Sequence, residues 1–130
     1  MHHGNGTQHI LESRPEALFI SLHQHPLYPG TGWLTETGLG AGAGYTVNVP
    51  LPAGCADPEY LLAFDRLVIP LAEAYRPQLV LVSAGFDAHA DDPLGAMGIT
   101  DAGFGAMCAR LRHVADTHAG GRTSRRIPRR

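Results

Sequence analysis

Residues 78–95 read Gln78-Leu-Val-Leu-Val-Ser83 followed by AGFDAHADDPLG. The first six are an unbroken apolar run of strand length, and the next twelve are a loop dense in Gly, Asp and His. A strand that is apolar on every residue belongs in a sheet covered on both faces, the usual condition of parallel sheets between helices. Ala17-Leu-Phe-Ile-Ser-Leu22 is a second such run, and it too opens into a loop of His, Pro and Gly, from His23 to Gly44. In open parallel sheets the ligand site lies beyond the carboxyl ends of the strands, where both of these loops fall.

Working outward, Tyr45–Leu51 alternates and is rich in β-formers, so it is predicted as a further strand ended by Pro50 and Pro52. Thr7 to Glu12 reads as a short helix stopped near Pro15. Asp57-Pro58 predicts a helix start with Asp57 as N-cap. Tyr60, Phe64, Leu67, Val68 and Leu71 fall on its buried stripe, and Pro70 should kink or divide it. Thr100 should cap a last helix that buries Phe104, Met107, Leu111 and Val114. The fold class is therefore α/β with a mostly parallel sheet.

The chain has 130 residues, 44% of them hydrophobic and 17% charged, which suits one small domain or a piece of a larger one. No apolar run reaches the length of a membrane span. Cys55 and Cys108 are isolated, as expected of free thiols in a reducing compartment, the cytoplasm. Residues 1–121 hold five Arg against twelve Asp and Glu, a balance of -7, and the other five Arg crowd into 122–130. That end lacks aromatics and any amphipathic period. It is read as a disordered basic tail rather than a grip on nucleic acid or membrane.

Three groups of residues could carry chemistry. His2 and His3 precede a turn-forming Gly4-Asn5-Gly6 and could be a tag remnant, a frayed surface pair or metal ligands. Asp87, Asp91 and Asp92 crowd one loop with His89. Asp87 with His2 or His3 would give the mixed nitrogen and oxygen set that Zn²⁺ accepts, whereas Asp91 and Asp92 could simply cap the next turn. His23 and His25 beside Tyr28 are discounted as ligands, because lone loop histidines are usually solvated or hydrogen-bonded.

The stretches HHGNGTQ, SLHQHPLYPGTG, GYTVNVPLPAG, LVSAGFDAHADDPLG and ITDAGF, in that order, resemble the zinc-dependent histone deacetylase family. The likeness is greatest to its class II and bacterial branch, which includes acetylpolyamine amidohydrolases and acetoin-utilisation proteins. It runs from His2 to about Gly121. The resemblance implies a partial three-layer arginase-like fold, truncated at both ends: a partial domain over 1–121 and a tail over 122–130.

The resemblance also implies hydrolysis of acetyl-lysine or acetylated polyamine-type amines, with Zn²⁺ polarising the acetyl carbonyl and activating a water. By position, His2 and Asp87 correspond to zinc ligands. His3 corresponds to a non-ligand that makes local hydrogen bonds. Ser21 and Leu22, with the His2 backbone, correspond to a structural monovalent-cation site, for which K⁺ is the expected ion. Leu27, Tyr28 and Leu94 correspond to walls of the substrate channel, and Gly85 and Phe86, itself beside that channel, to residues positioning Asp87.

The departures are equally specific. The family's Asp two residues before the first His, its earlier His pair, and its oxyanion Tyr after a Gly-Gly turn have no counterpart here. The corresponding place reads Gly120-Gly121-Arg122-Thr-Ser. No catalytic set is complete in this chain. A strand before His2 and another after Gly121 are expected to be missing, which would leave sheet edges open and the chain prone to self-association. The rival expectation is a non-catalytic interaction module that keeps part of the fold.

Overall fold

The computed structural model describes residues 1–126, which divide into two compact units, Met1–Ala53 and a second beginning at Gly54. In the first unit α1 spans Asn5–Leu11, starting earlier than expected. Asn5 and Gly6 fit there because the first N–H groups of a helix need no partner within it. Strands β1 (Phe19–Gln24) and β2 (Thr46–Leu51) pair in parallel, from Phe19↔Thr46 to Gln24↔Leu51. Phe19 N–H donates to the Tyr45 carbonyl and His25 N–H to that of Leu51, so the odd-numbered residues of β2 face the ladder. Pro50 points the other way, where its missing N–H removes no ladder bond.

The buried side of this sheet is not apolar. Ser21 and His23 on β1 and Thr46 and Asn48 on β2 are buried, while Ile20, Leu22 and Val47 are half-exposed. Polar side chains can fill such an interior only if they bond one another.

In the second unit α2 (Asp57–Ala63), a π turn (Phe64–Val68) and α3 (Ile69–Tyr75) form one continuous helical run. Pro70 thus divides the run without stopping it. The amide of Ile69 reaches back five residues to the Phe64 carbonyl, the wide turn that absorbs the bond Pro70 cannot make. The wide turn also shifts the buried stripe. Tyr60, Phe64 and Val68 are buried, whereas Leu67 is 42% exposed and Leu71 half-buried.

Strand β3 (Val80–Ser83) is followed by a 3-10 turn over Phe86–Ala88 and by α4 (Asp101–His118). On α4, Met107 and Val114 are buried as expected, with Phe104 and Leu111 at the margin of the core.

The expected single sheet is replaced, among the described residues, by two parallel pairs, β1 with β2 and β3 with β4. Strand β4 (Thr123–Arg126) is itself a correction, because no strand was expected after Gly121 and the tail was expected to be disordered. Gly120 and Gly121, at φ 57° and 75°, let the chain reverse after α4, and Val80 N–H then meets the Arg122 carbonyl at 3.2 Å. Parallel pairing requires only backbone groups, so the arginines do not prevent it. Residues 127–130 of the tail lie outside the described residues. Neither is β3 covered on both faces: Leu81 is 71% exposed and Leu79 50%.

Asp57 is not the N-cap of α2, which is Ala56, whose N–H donates to the Glu59 carboxylate. The Asp57 carboxylate instead accepts Thr100 N–H at 2.9 Å and the Thr100 hydroxyl at 2.7 Å. Thr100 Oγ1 in turn caps α4 by accepting from Gly103 N–H, as expected. A Cβ at position 103 would collide with the Asp57 carboxylate.

Helix propensity alone would make Gly103→Ala stabilising by up to about 1 kcal/mol. We expect the reverse, a lowered thermal midpoint, because the collision breaks the clasp. In an Asp57→Ala background the same substitution should lose most of its cost. Differential scanning calorimetry of the two single variants and the double variant checks this, and additive effects would contradict it.

Candidate metal and substrate site

His3, buried, is held at both nitrogens: Nε2 donates to Gln8 Oε1 at 2.9 Å and Nδ1 accepts the Thr31 hydroxyl at 2.8 Å. Gln8 Oε1 also accepts from Asn48 Nδ2, and Gln8 Nε2 donates to Glu36 Oε2 at 2.6 Å. The other Glu36 oxygen accepts the backbone N–H groups of Gly32 and Trp33. Burial alone would raise the Glu36 pKa. The donations from Trp33, Gln8 and Gly32 outweigh it and hold the carboxyl below its ordinary value.

His23 stands beside His3, ring centroids 4.7 Å apart. A carbonyl can only accept, so His23 Nε2 carries the proton given to Gly32 O, and Nδ1 accepts from the Ser21 hydroxyl. Burial, and then the neighbouring His3, push the His23 pKa down, so the ring is neutral. Gly32, at φ 88°, is required at this point, because a Cβ would strike both imidazoles.

This fixed core carries the sequence-predicted residues of the first unit. His2 is exposed, and its Nδ1 donates to the Tyr28 carbonyl at 2.7 Å. That bond places the ring's lone pair on Nε2. A backbone carbonyl partner for the second nitrogen is the arrangement that orients metal-bound histidines. Ser21 is committed to His23, and Leu22 is half-buried beside it on β1. Leu27 is half-buried and Tyr28 is 80% exposed. His25 packs edge-on to Trp33 at 4.1 Å.

In the second unit Asp87 is half-buried on the 3-10 turn after β3, between Phe86 and buried Ala88. Phe86 is half-exposed and meets Phe104 edge-on at 5.2 Å. Leu94 is 84% exposed. Asp92 Oδ1 accepts from the N–H groups of Leu94 and Gly95, the turn-capping role open to it from sequence. Asp91 is fully outside, its N–H donating to His89 Nδ1.

A histidine nitrogen and an aspartate oxygen are zinc-type donors, but such sites take three protein ligands or more. Among the described residues no three His, Cys, Asp or Glu side chains gather as a metal cluster. Sequence reasoning missed Gln8, Glu36 and Asn48, which fix the His3 side, and Tyr60, whose hydroxyl is buried in the second unit. Only periodicity marked Tyr60, and it marked a core residue.

Two parallel strand pairs, with helices before and between the strands and an Asp-bearing turn after β3, define a protein of the α/β class. The sequence profile of the histone deacetylase domain matches residues 1–124, and the chain belongs to that family. It is 45% identical over 121 residues to a probable deacetylase of Archaeoglobus fulgidus, covering 93% of this chain and 34% of the relative. A histone deacetylase-like amidohydrolase of Pseudomonas aeruginosa is 46% identical over 123 residues, covering 94% and 32%. The crystal structure of the HDA15 HD domain superposes with a TM-score of 0.86 at 42% identity, over 95% of this chain and 35% of that one. The chain thus spans about a third of these relatives and carries part of the α/β deacetylase fold.

Acid should loosen the first unit in two stages. The folded pKa of His23 lies below the ordinary 6.5, so the unfolded chain takes up the proton first, and stability present above that pH drains as pH falls. Glu36, held below its ordinary 4.5, adds a further loss under that value. Urea midpoints should fall from about pH 6.5 downward, and His23→Gln should flatten the profile between roughly pH 6.5 and 5. Parallel profiles for the two proteins would refute the assignment.

Proposed function

We propose that this chain is a portion of a zinc-dependent deacetylase that hydrolyses acetyl-lysine or acetylated polyamine-type amines, and that it is inactive by itself. The observation that carries the reading is the His2 imidazole, held through Nδ1 by the Tyr28 carbonyl at the position the family uses for a metal ligand. Bound zinc would polarise the acetyl carbonyl and lower the pKa of a water. His2 and Asp87 would supply two of its donors, and the His3–Gln8–Asn48 bonds would keep the loop bearing His2 in place. Ser21, Leu22 and the His2 backbone would hold K⁺. Leu27, Tyr28, Phe86 and Leu94 would line the path of the substrate's aliphatic stem. The free thiols Cys55 and Cys108 suit a cytoplasmic setting.

Within residues 1–130, His2 and Asp87 are the two positions that correspond to zinc ligands, and no Tyr follows Gly121. One oxyanion donor alone is worth about 10²–10³ in rate. Purified chain should therefore give no turnover of an acetyl-lysine peptide, and any turnover abolished by a chelator would refute inactivity. Calorimetry should find zinc binding no tighter than roughly micromolar, given two protein ligands. Nanomolar binding lost in both His2→Ala and Asp87→Ala would overturn this.

The exposed Leu79 and Leu81 favour a second reading, an interaction module that keeps the fold without the chemistry. Under the first reading the open strand edges and these leucines should make the isolated chain oligomerise or aggregate. A monodisperse monomer by light scattering, with one sharp unfolding transition, would favour the module.

A further inference from the structure

The pair β3–β4 has two unlike faces. Side chains alternate across a strand, so Val80 and Val82 point one way and Leu79, Leu81 and Ser83 the other. Helix α4 packs against β3, and the half-buried Val80 and Val82 mark the side that is covered. On the opposite side Leu81 is 71% exposed, Leu79 is 50% exposed, and Ser83 is exposed with them. The register extends this open face onto β4, where exposed Ser124 stands opposite Leu81.

A sheet with one face in water alternates apolar and polar residues, whereas a sheet covered on both faces is apolar on each. The run from Leu79 to Val82 has the second pattern, with one face covered. No charged residue falls between Leu79 and Ser83 to suit the open face to solvent. Ser83 and Ser124, the polar side chains on that face, are small and leave it open to close approach.

The HDA15 HD domain bears on what approaches. It superposes on 95% of this chain with a TM-score of 0.86, so a strand and a helix placed like β3 and α4 recur there. The superposition takes up 35% of that domain, which leaves about two thirds of it to pack around the shared part. In such architectures helices lie on both faces of the sheet, and the described residues supply β3 with one of those layers.

We propose that the Leu79–Leu81 face of β3 is a docking surface for a helix of the deacetylase domain that lies outside the third represented by this chain. An apolar stripe on that helix closes over the two leucines, and removal of their surface from water drives the contact. The proposal rests on the reading of the chain as a portion of a deacetylase. It assigns the exposed leucines to the assembly of that domain rather than to a foreign partner.

The test compares the full chain with a chimera in which it replaces the stretch it matches in the probable deacetylase of Archaeoglobus fulgidus. Leu81→Cys is placed in both, and alkylation of the thiol at position 81 is timed by peptide mass spectrometry. In the isolated chain, diluted until light scattering shows a monomer, the thiol should react as an exposed one does. In a chimera with one cooperative thermal transition it should react at least roughly tenfold more slowly, because reaction then waits on local opening. Equal rates in a folded chimera overturn the proposal and leave the deacetylase reading standing. A chimera with no cooperative transition overturns both. Slow reaction in the diluted monomer, or protection in oligomers of the isolated chain as strong as in the chimera, would give the face to this chain itself or to a second copy and also overturn the proposal.

Discussion

Glu36 ties down the loop on which the first unit depends. Its carboxylate gathers the Gly32 and Trp33 amides at one oxygen and the Gln8 side chain at the other, and its own carbonyl accepts from Asn48. The three bonds to the carboxylate are charge-assisted, about twice as strong as neutral ones. Through Gln8 they reach α1 and His3, and through Asn48 they reach β2. A helix, a strand and a glycine-rich loop are thereby tied to one acidic residue. This loop is held by polar bonding to Glu36, which gives it definite geometry.

The second unit is organised differently. Its core is apolar, built on Tyr60, Phe64, Val68, Met97, Ile99, Met107 and Val114. Its principal polar tie is the Asp57 carboxylate on Thr100, which joins the start of α2 to the start of α4. Asp65 and Arg110 form a second, exposed link between the same helical run and α4. Exposed pairs of this kind add little stability. The clasp at Asp57 matters more for register, since the close approach at Gly103 leaves no room for any other side chain.

The α/β class, the parallel strands and the Thr100 cap were legible because each rests on a short local signal. The run Gln78–Ser83 and the residues after it announce a strand and a loop whatever surrounds them. Burial was less legible. Ile20 and Leu22 read as core, yet Ser21 and His23 are the buried pair, because their partners lie in distant parts of the chain that no local pattern reveals. Strand β4 escaped for a related reason: its pairing with β3 uses backbone groups, and the sequence Thr-Ser-Arg-Arg has no strand pattern to announce it. Of the candidate site, the ligand-type residues were visible through motif resemblance. The residues that hold the His3 side, Gln8, Glu36 and Asn48, carry no signature of their own.

The π turn at Phe64–Val68 has a consequence for phase. It accommodates one residue more than an α-helical turn would, and a residue advances the helical wheel by about 100°. Everything from Ile69 onward is therefore rotated, relative to α2, from where an uninterrupted helix would carry it. Val68 is the last side chain to share the direction of Tyr60 and Phe64, and α3 faces its surroundings on a separate setting. Removing one residue from the turn would join the two segments into a single wheel and swing α3 by nearly a third of a revolution. The extra residue acts as a spacer, letting one helical run present two independently aimed faces.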